Sequence, residues 1–96
     1  MATLRFGEFE WDEAKAASNL AKHGVSFEEA SEVFLDESAV YFADILQPER
    51  IVALGFSKEP RFLYVVCVEK VRAGTLRLVS ARAATKRERK RYERQE

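Results

Sequence analysis

Hydrophobic and polar residues alternate with two different periods along this chain. Residues 4–11 (LRFGEFEW) alternate weakly, with Phe6, Phe9 and Trp11 as apolar points, and predict a short first strand. The period then lengthens. Asp12 is placed to cap a helix running to about His23, with Glu13 in its positive first turn. Ala14, Ala16, Ala17, Leu20 and Ala21 supply helix formers and core-facing positions, and Gly24 after Lys22-His23 supplies the stop. Ser26 to Glu29 matches a capping box and opens a second helix, in which Phe27, Ala30, Val33 and Phe34 share one face.

After Asp36 the period shortens to that of strands. Residues 39–43 (AVYFA), 50–57 (RIVALGFS), 61–69 (RFLYVVCVE) and 75–81 (TLRLVSA) read as strands, separated by turns at 44–49, 58–60 and 71–74. Short links predict antiparallel hairpins. Thr85-Lys86-Arg87-Glu88 is a second capping box and predicts a final helix over 86–94. The order β-α-α-β-β-β-β-α predicts a single α+β domain: an antiparallel sheet of about four strands, an N-terminal helical hairpin and a C-terminal basic helix.

Composition changes this picture at two points. The 96 residues contain 16 Lys+Arg and 16 Asp+Glu, a formal net charge of zero. That neutrality divides unevenly. Residues 1–49 hold three basic and eleven acidic residues, and residues 50–96 hold thirteen basic and five acidic, giving −8 and +8. Such asymmetry points to separate charged surfaces with different partners. The single cysteine, Cys67, allows no internal disulfide, and one Cys with one His cannot build a zinc ribbon. No apolar run approaches the ~20 residues of a membrane span, and the N-terminus lacks a secretory layout. These features predict a cytoplasmic protein with no membrane partner.

Candidate chemistry gathers on basic residues. His23, the only histidine, is a side chain suited to proton transfer, and its plainer reading is a surface group meeting the helix dipole. Arg61, Arg77 and Arg82 begin, interrupt or follow core strands. Guanidinium groups hold phosphate through paired hydrogen bonds and stabilise a phosphoryl transition state. The stretch from Thr85 carries Lys86, Arg87, Arg89, Lys90, Arg91 and Arg94, with Arg87, Arg91 and Arg94 on one face. Its plainer reading is a solvated helix pairing with the acidic half. Glu13, Glu69 and Glu88 are weaker candidate bases. No phosphate-cradling glycine loop and no carboxylate cluster for a divalent metal occur, so phosphoryl chemistry here is expected to need no metal or other cofactor.

Phe9–Phe34, then RIVALGFS, then Arg77–Glu93 together resemble the BrnT toxin family, over nearly the whole chain. The most specific pieces are Trp11-Asp12 with Lys15, Asn19 and Lys22-His23-Gly24, then Ser80-Ala81-Arg82 followed by Thr85, Glu88, Arg89 and Tyr92. The chain departs from the pattern at Ala83, where many members of that family are expected to carry another basic residue. The resemblance implies a RelE-like fold and a ribonuclease toxin of a type II toxin–antitoxin pair, which halts translation and growth. It implies a BrnA-type antitoxin with a DNA-binding domain, a heterotetramer as resting state, and operator DNA bound through the antitoxin so that the complex represses its own operon.

Joined to the residue reading, it makes His23, Arg61, Arg77 and Arg82 the expected catalytic set. Lys22, Thr85, Lys86, Arg87 and Arg91 are the expected RNA contacts. The competing expectation is a non-catalytic module that binds nucleic acid or protein through the basic C-terminal helix.

Overall fold

The structure, a computed structural model, describes residues 3–6 (backbone), 8–69 and 74–94. The residues expected as one first strand form two. β1 (Thr3–Phe6) and β2 (Phe9–Asp12) pair antiparallel, Thr3 opposite Asp12 and Phe6 opposite Phe9. Asp12 ends β2 and also caps α1 (Glu13–His23): its side chain accepts the Ala14 N–H at 3.1 Å. Gly24 closes the helix at φ 71°, a left-handed conformation that favours glycine, and its N–H returns to Leu20 O at 2.8 Å.

The second helix is shorter than the spacing predicts. α2 covers only Phe27–Ser31 and tightens into a 3₁₀ turn over Glu32–Leu35. Half of its expected capping box forms. Ser26 Oγ accepts the Glu29 N–H at 3.0 Å, but the Glu29 carboxylate turns to Ser57 and Arg61.

The remaining strands are β3 (Val40–Ala43), β4 (Arg50–Phe56), β5 (Phe62–Glu69) and β6 (Leu76–Ala83), followed by α3 (Lys86–Glu93). They form one six-stranded sheet of order β1-β2-β6-β5-β4-β3. This is two strands more than the expected sheet. It is also not purely antiparallel, because β2 lies parallel to β6 at Phe9–Glu10 and Leu76–Arg77. A parallel pair needs a long crossover, here the whole helical layer and three strands, so nothing local in the sequence announces it. The turn expected over residues 71–74 falls, apart from Gly74, outside the described residues.

The two sheet faces differ. α1 and α2 cover one, and the core lies beneath them: Trp11, Val25, Phe27, Ala30, Val33, Ala53, Leu63, Val65, Cys67, Leu78 and Ala81. Trp11 meets Phe27 edge-to-face at 5.9 Å. Burial pushes the Cys67 thiol up to about 11, which leaves it a packing residue rather than a nucleophile. Gly55 sits where the 3₁₀ turn approaches, and a Cβ there would lie 3.0 Å from both Asp36 Oδ2 and Val33 Cγ1.

α3 covers part of the opposite face and is fastened by one apolar side chain. The Tyr92 ring packs edge-to-face on Phe56 and Phe62, at 5.6 and 5.0 Å. Its hydroxyl donates to Asp36 Oδ2 at 2.9 Å. Asp36 also accepts the N–H groups of Phe56 and Ser38. Burial opposes its ionisation, yet these three hydrogen bonds together hold its carboxyl below the usual range.

Candidate nucleic-acid cleavage site

Beyond Arg77, β6 has no strand partner on its outer side among the described residues, because β2 pairs only with its start. α1 fills that edge with one side chain. The Asn19 amide donates to Ala81 O at 2.8 Å and Val25 O at 3.0 Å, and accepts the Ala81 N–H at 3.1 Å. It takes the place of a neighbouring strand. The register against β5 shifts between Leu78 and Ser80, leaving Val79 as a bulge.

The end of α1 lies beside this bulge. A shallow cavity of about 190 Å³ is lined by Lys15, Ser18, Asn19, Lys22, His23, Val79 and Ser80. Two residues after Ser80, on the same face by strand alternation, comes Arg82. Its guanidinium stacks on the Tyr64 ring at 4.0 Å. It donates two hydrogen bonds to Glu88, at 2.9 Å to Oε1 and 2.8 Å to Oε2.

Glu88 works twice, because the final capping box forms in full. Thr85 Oγ1 accepts the Glu88 N–H at 3.1 Å, and Glu88 Oε1 accepts the Thr85 N–H at 2.9 Å. Arg82 chiefly holds the Glu88 carboxyl below its usual range, against burial and with help from Thr85.

α3 then carries the basic surface across the sheet. Phe42, Leu54, Tyr64, Arg87, Glu88 and Arg91 line a cleft of about 230 Å³ between helix and sheet. Arg91 stacks on Phe42 at 3.7 Å. Farther along, Val40, Arg87, Lys90, Arg91 and Arg94 line a cavity of about 640 Å³, and every charged lining residue is a cation. The plainer reading of α3 as a partner for the acidic half does not describe these residues, since both openings face the sheet side away from α1 and α2. Lys86 and Thr85 stand exposed at the start of the helix.

Thus the structure brings His23 and Lys22 together at the β6 edge, and places Arg82, Thr85, Lys86, Arg87 and Arg91 on the α3 side of the sheet. The other two arginines stand apart. Arg61 lies on the helical side, where it forms an ion pair with Glu29 through two hydrogen bonds and donates to Gly24 O at 2.8 Å. It therefore braces the end of α1 that carries His23. Arg77 pairs with Glu10 at 2.6 Å and ties β6 to β2. It shares a sheet face with Arg82 but lies five residues earlier, on the order of 16 Å along the strand. Glu13 and Glu69 are exposed at element ends.

Tyr64, Phe42, Lys90 and Arg94 complete the basic face and were not among the expected contacts. Alternation along β5 places Tyr64 beside Phe62 and Val66, but only the register with β6 puts it under Arg82. Among the described residues, no group of three or more His, Cys, Asp or Glu is arranged to hold a metal. None of the described helices is long and apolar enough to cross a membrane.

The carboxylate pairs make the fold acid-sensitive. Glu29 is held below its ordinary value of 4.5 chiefly by its hydrogen bond from Arg61, Glu88 likewise by Arg82, and Asp36 is lowered below 3.8. Each folded carboxyl binds its proton less readily than the unfolded chain does. Their contribution is therefore fully present above the unfolded values and is lost as the pH falls through the folded ones. The urea midpoint is expected to stay level from pH 7 to about 5 and to drop below that. A midpoint unchanged down to pH 3 would show that these pairs add nothing to the fold.

Comparison with known proteins identifies the architecture. A family model described as the ribonuclease toxin BrnT of type II toxin–antitoxin systems matches residues 11–88. Among solved structures, the chain is similar to the Brucella abortus ribonuclease toxin, BrnT, at 32% sequence identity and a TM-score of 0.65. That match covers 79% of this chain and 94% of the Brucella chain. No curated protein matches. The family match spans Trp11 through Glu88, taking in α1, the β6 edge and the Arg82–Glu88 pair, and the chain belongs to the BrnT family of type II ribonuclease toxins.

Proposed function

We propose that this toxin is an endoribonuclease that cuts RNA by attack of the 2′-OH on the adjacent phosphate, without a metal. RNA carries that nucleophile itself, so the protein needs only to move protons and stabilise charge. The 2′-OH gives up its proton, its oxygen bonds to phosphorus, and the bond to the 5′ oxygen breaks as that oxygen gains a proton. The products are a 2′,3′-cyclic phosphate and a 5′-OH.

His23 is assigned a proton transfer and Lys22 the phosphate beside it. Arg82 stabilises the charge that gathers on the phosphoryl oxygens. Thr85, Lys86, Arg87 and Arg91 hold the flanking backbone. Arg61 and Arg77, from the same expected set, act at one remove: Arg61 fixes the end of α1, and Arg77 fixes β2 against β6.

The observation that carries this reading is the outer edge of β6, where Asn19 of α1 stands in for a neighbouring strand. There the His23–Lys22 cavity borders Ser80, and Arg82 follows on the same strand. Toxin is held inactive by a BrnA-type antitoxin that covers the basic face. An antitoxin dimer with a DNA-binding domain makes the complex a heterotetramer that represses its own operon from the cytoplasm. A second reading is favoured by the cavity along α3, whose charged lining is wholly cationic: a module that binds polyanions through α3 and cuts nothing.

Purified toxin, freed of antitoxin, decides between them in an RNA cleavage assay with EDTA. Wild-type toxin is expected to cut and to leave the stated ends. Arg82→Ala is expected to be slower by about 10²-fold or more, the range for removing one donor to a developing oxyanion. Binding by folded wild-type toxin without cutting in EDTA, restored by a divalent cation, rejects the metal-free mechanism. Binding without cutting under either condition supports the module.

A further inference from the structure

We propose that Glu88 is a built-in stand-in for substrate phosphate: it occupies the Arg82 fork in the free toxin, and an RNA phosphate displaces it. The inference rests on Arg82 as an RNA contact. Carboxylate and phosphate present the same pair of acceptor oxygens to a guanidinium. Arg82 meets Glu88 in that two-pronged manner, at 2.9 and 2.8 Å. Both groups are reachable, with 35% of the Arg82 side chain and 23% of the Glu88 side chain exposed.

The other two expected arginines are held differently. Glu10 and Glu29 are more deeply buried, only 8% and 12% of their side chains being exposed, and Arg61 is further tied to Gly24 O. Glu88 alone among these three glutamates lines a cleft with further cations, Arg87 and Arg91, that receive an incoming anion.

Displacement does not orphan the carboxylate. Glu88 Oε1 keeps the Thr85 N–H, so the first turn of α3 stays capped while Arg82 is released. Glu88 thereby sets a threshold: a weak or badly placed anion fails to replace it, whereas a phosphate also held by Arg87 and Arg91 succeeds. The depressed pKa of Glu88 keeps it charged at neutral pH, as a competitor must be.

The test measures binding separately from cleavage, using a 2′-O-methyl RNA oligonucleotide that lacks the attacking hydroxyl and fluorescence anisotropy as the readout. Glu88→Gln removes the charge while glutamine still serves the capping box. It is expected to bind roughly five- to tenfold tighter than wild type. Glu93→Gln removes an equal charge from the exposed pair with Arg89 and is expected to change binding less than about twofold. The gain from Glu88→Gln vanishes in an Arg82→Ala background. Glu88→Asp, which keeps the charge but withdraws it by one methylene, also binds tighter than wild type and covers the case of a glutamine variant that loses helix.

Equal binding by Glu88→Gln and Glu93→Gln, or a gain that survives without Arg82, overturns the proposal. Loss of binding in Arg82→Ala with no gain in Glu88→Gln overturns the stand-in alone. Wild-type binding by Arg82→Ala overturns Arg82 as an RNA contact, and the stand-in with it.

Discussion

Replacing His23 with alanine is expected to slow RNA cleavage by about 10²–10⁴-fold, the range for a positioned proton-transfer group. The single step needs a proton removed from one oxygen and delivered to another. The cations nearby are assigned to the charge on phosphate, and the transfer to His23. His23 is the one imidazole in the chain and lies in the same cavity as Lys22 and Ser80, at the outer edge of β6. Because it is exposed at the end of α1, its removal leaves the core untouched, and circular dichroism and melting temperature should match wild type. A cleavage rate within tenfold of wild type would take His23 out of the mechanism.

Asn19→Ala should cause the largest loss of stability outside the hydrophobic core. The substitution removes three hydrogen bonds at once, two donated by the amide and one accepted from Ala81. It leaves the Ala81 N–H and two carbonyls without their partner at a buried edge. A buried polar group left unsatisfied costs about 1–3 kcal/mol. A total on the order of 3 kcal/mol follows, which lowers the melting temperature of a domain this size by more than about 10 °C. Asn19→Asp is expected to fare nearly as badly, since a carboxylate donates to neither carbonyl. A loss below 1 kcal/mol for alanine would mean that water replaces the amide at the outer edge of β6.

How far these residues were legible depends on how local their partners are. The ends of α1 could be read from Asp12 and Gly24, and the start of α3 from Thr85 and Glu88, because a cap is completed within a few residues. The break between β1 and β2 had a signal as well. The apolar positions shift from even to odd between Phe6 and Phe9, which an unbroken strand does not allow. The β2–β6 pairing had none, since its partners lie 67 positions apart in sequence, as Glu10 and Arg77 do.

The same holds for the chemistry. Three arginines on neighbouring segments looked alike in sequence, and only strand register separates Arg82 over Tyr64 from Arg77 opposite Val68. Glu29 shows the opposite case. Its spacing from Ser26 promises a reciprocal cap, but an arginine 32 residues away, Arg61, takes the carboxylate instead. A charged partner outcompetes a neutral backbone N–H.

The charge split ends with a geometric meaning. Acidic positions crowd the helical layer, where Glu29 serves Arg61, and basic positions crowd α3 on the other side of the sheet. The fastening of α3 has a consequence for how such a toxin changes over generations. The helix buries none of its residues completely and is moored by Tyr92 on Phe56, Phe62 and Asp36. Its outward positions are therefore nearly free of folding constraints. Substitutions at Arg87, Lys90 and Arg94 are expected to change the charge of this face, while the Asn19 edge and the Trp11 core keep the scaffold unchanged. The mooring makes α3 an adjustable tool, bolted at Tyr92 and at the Glu88–Arg82 pair and variable between them.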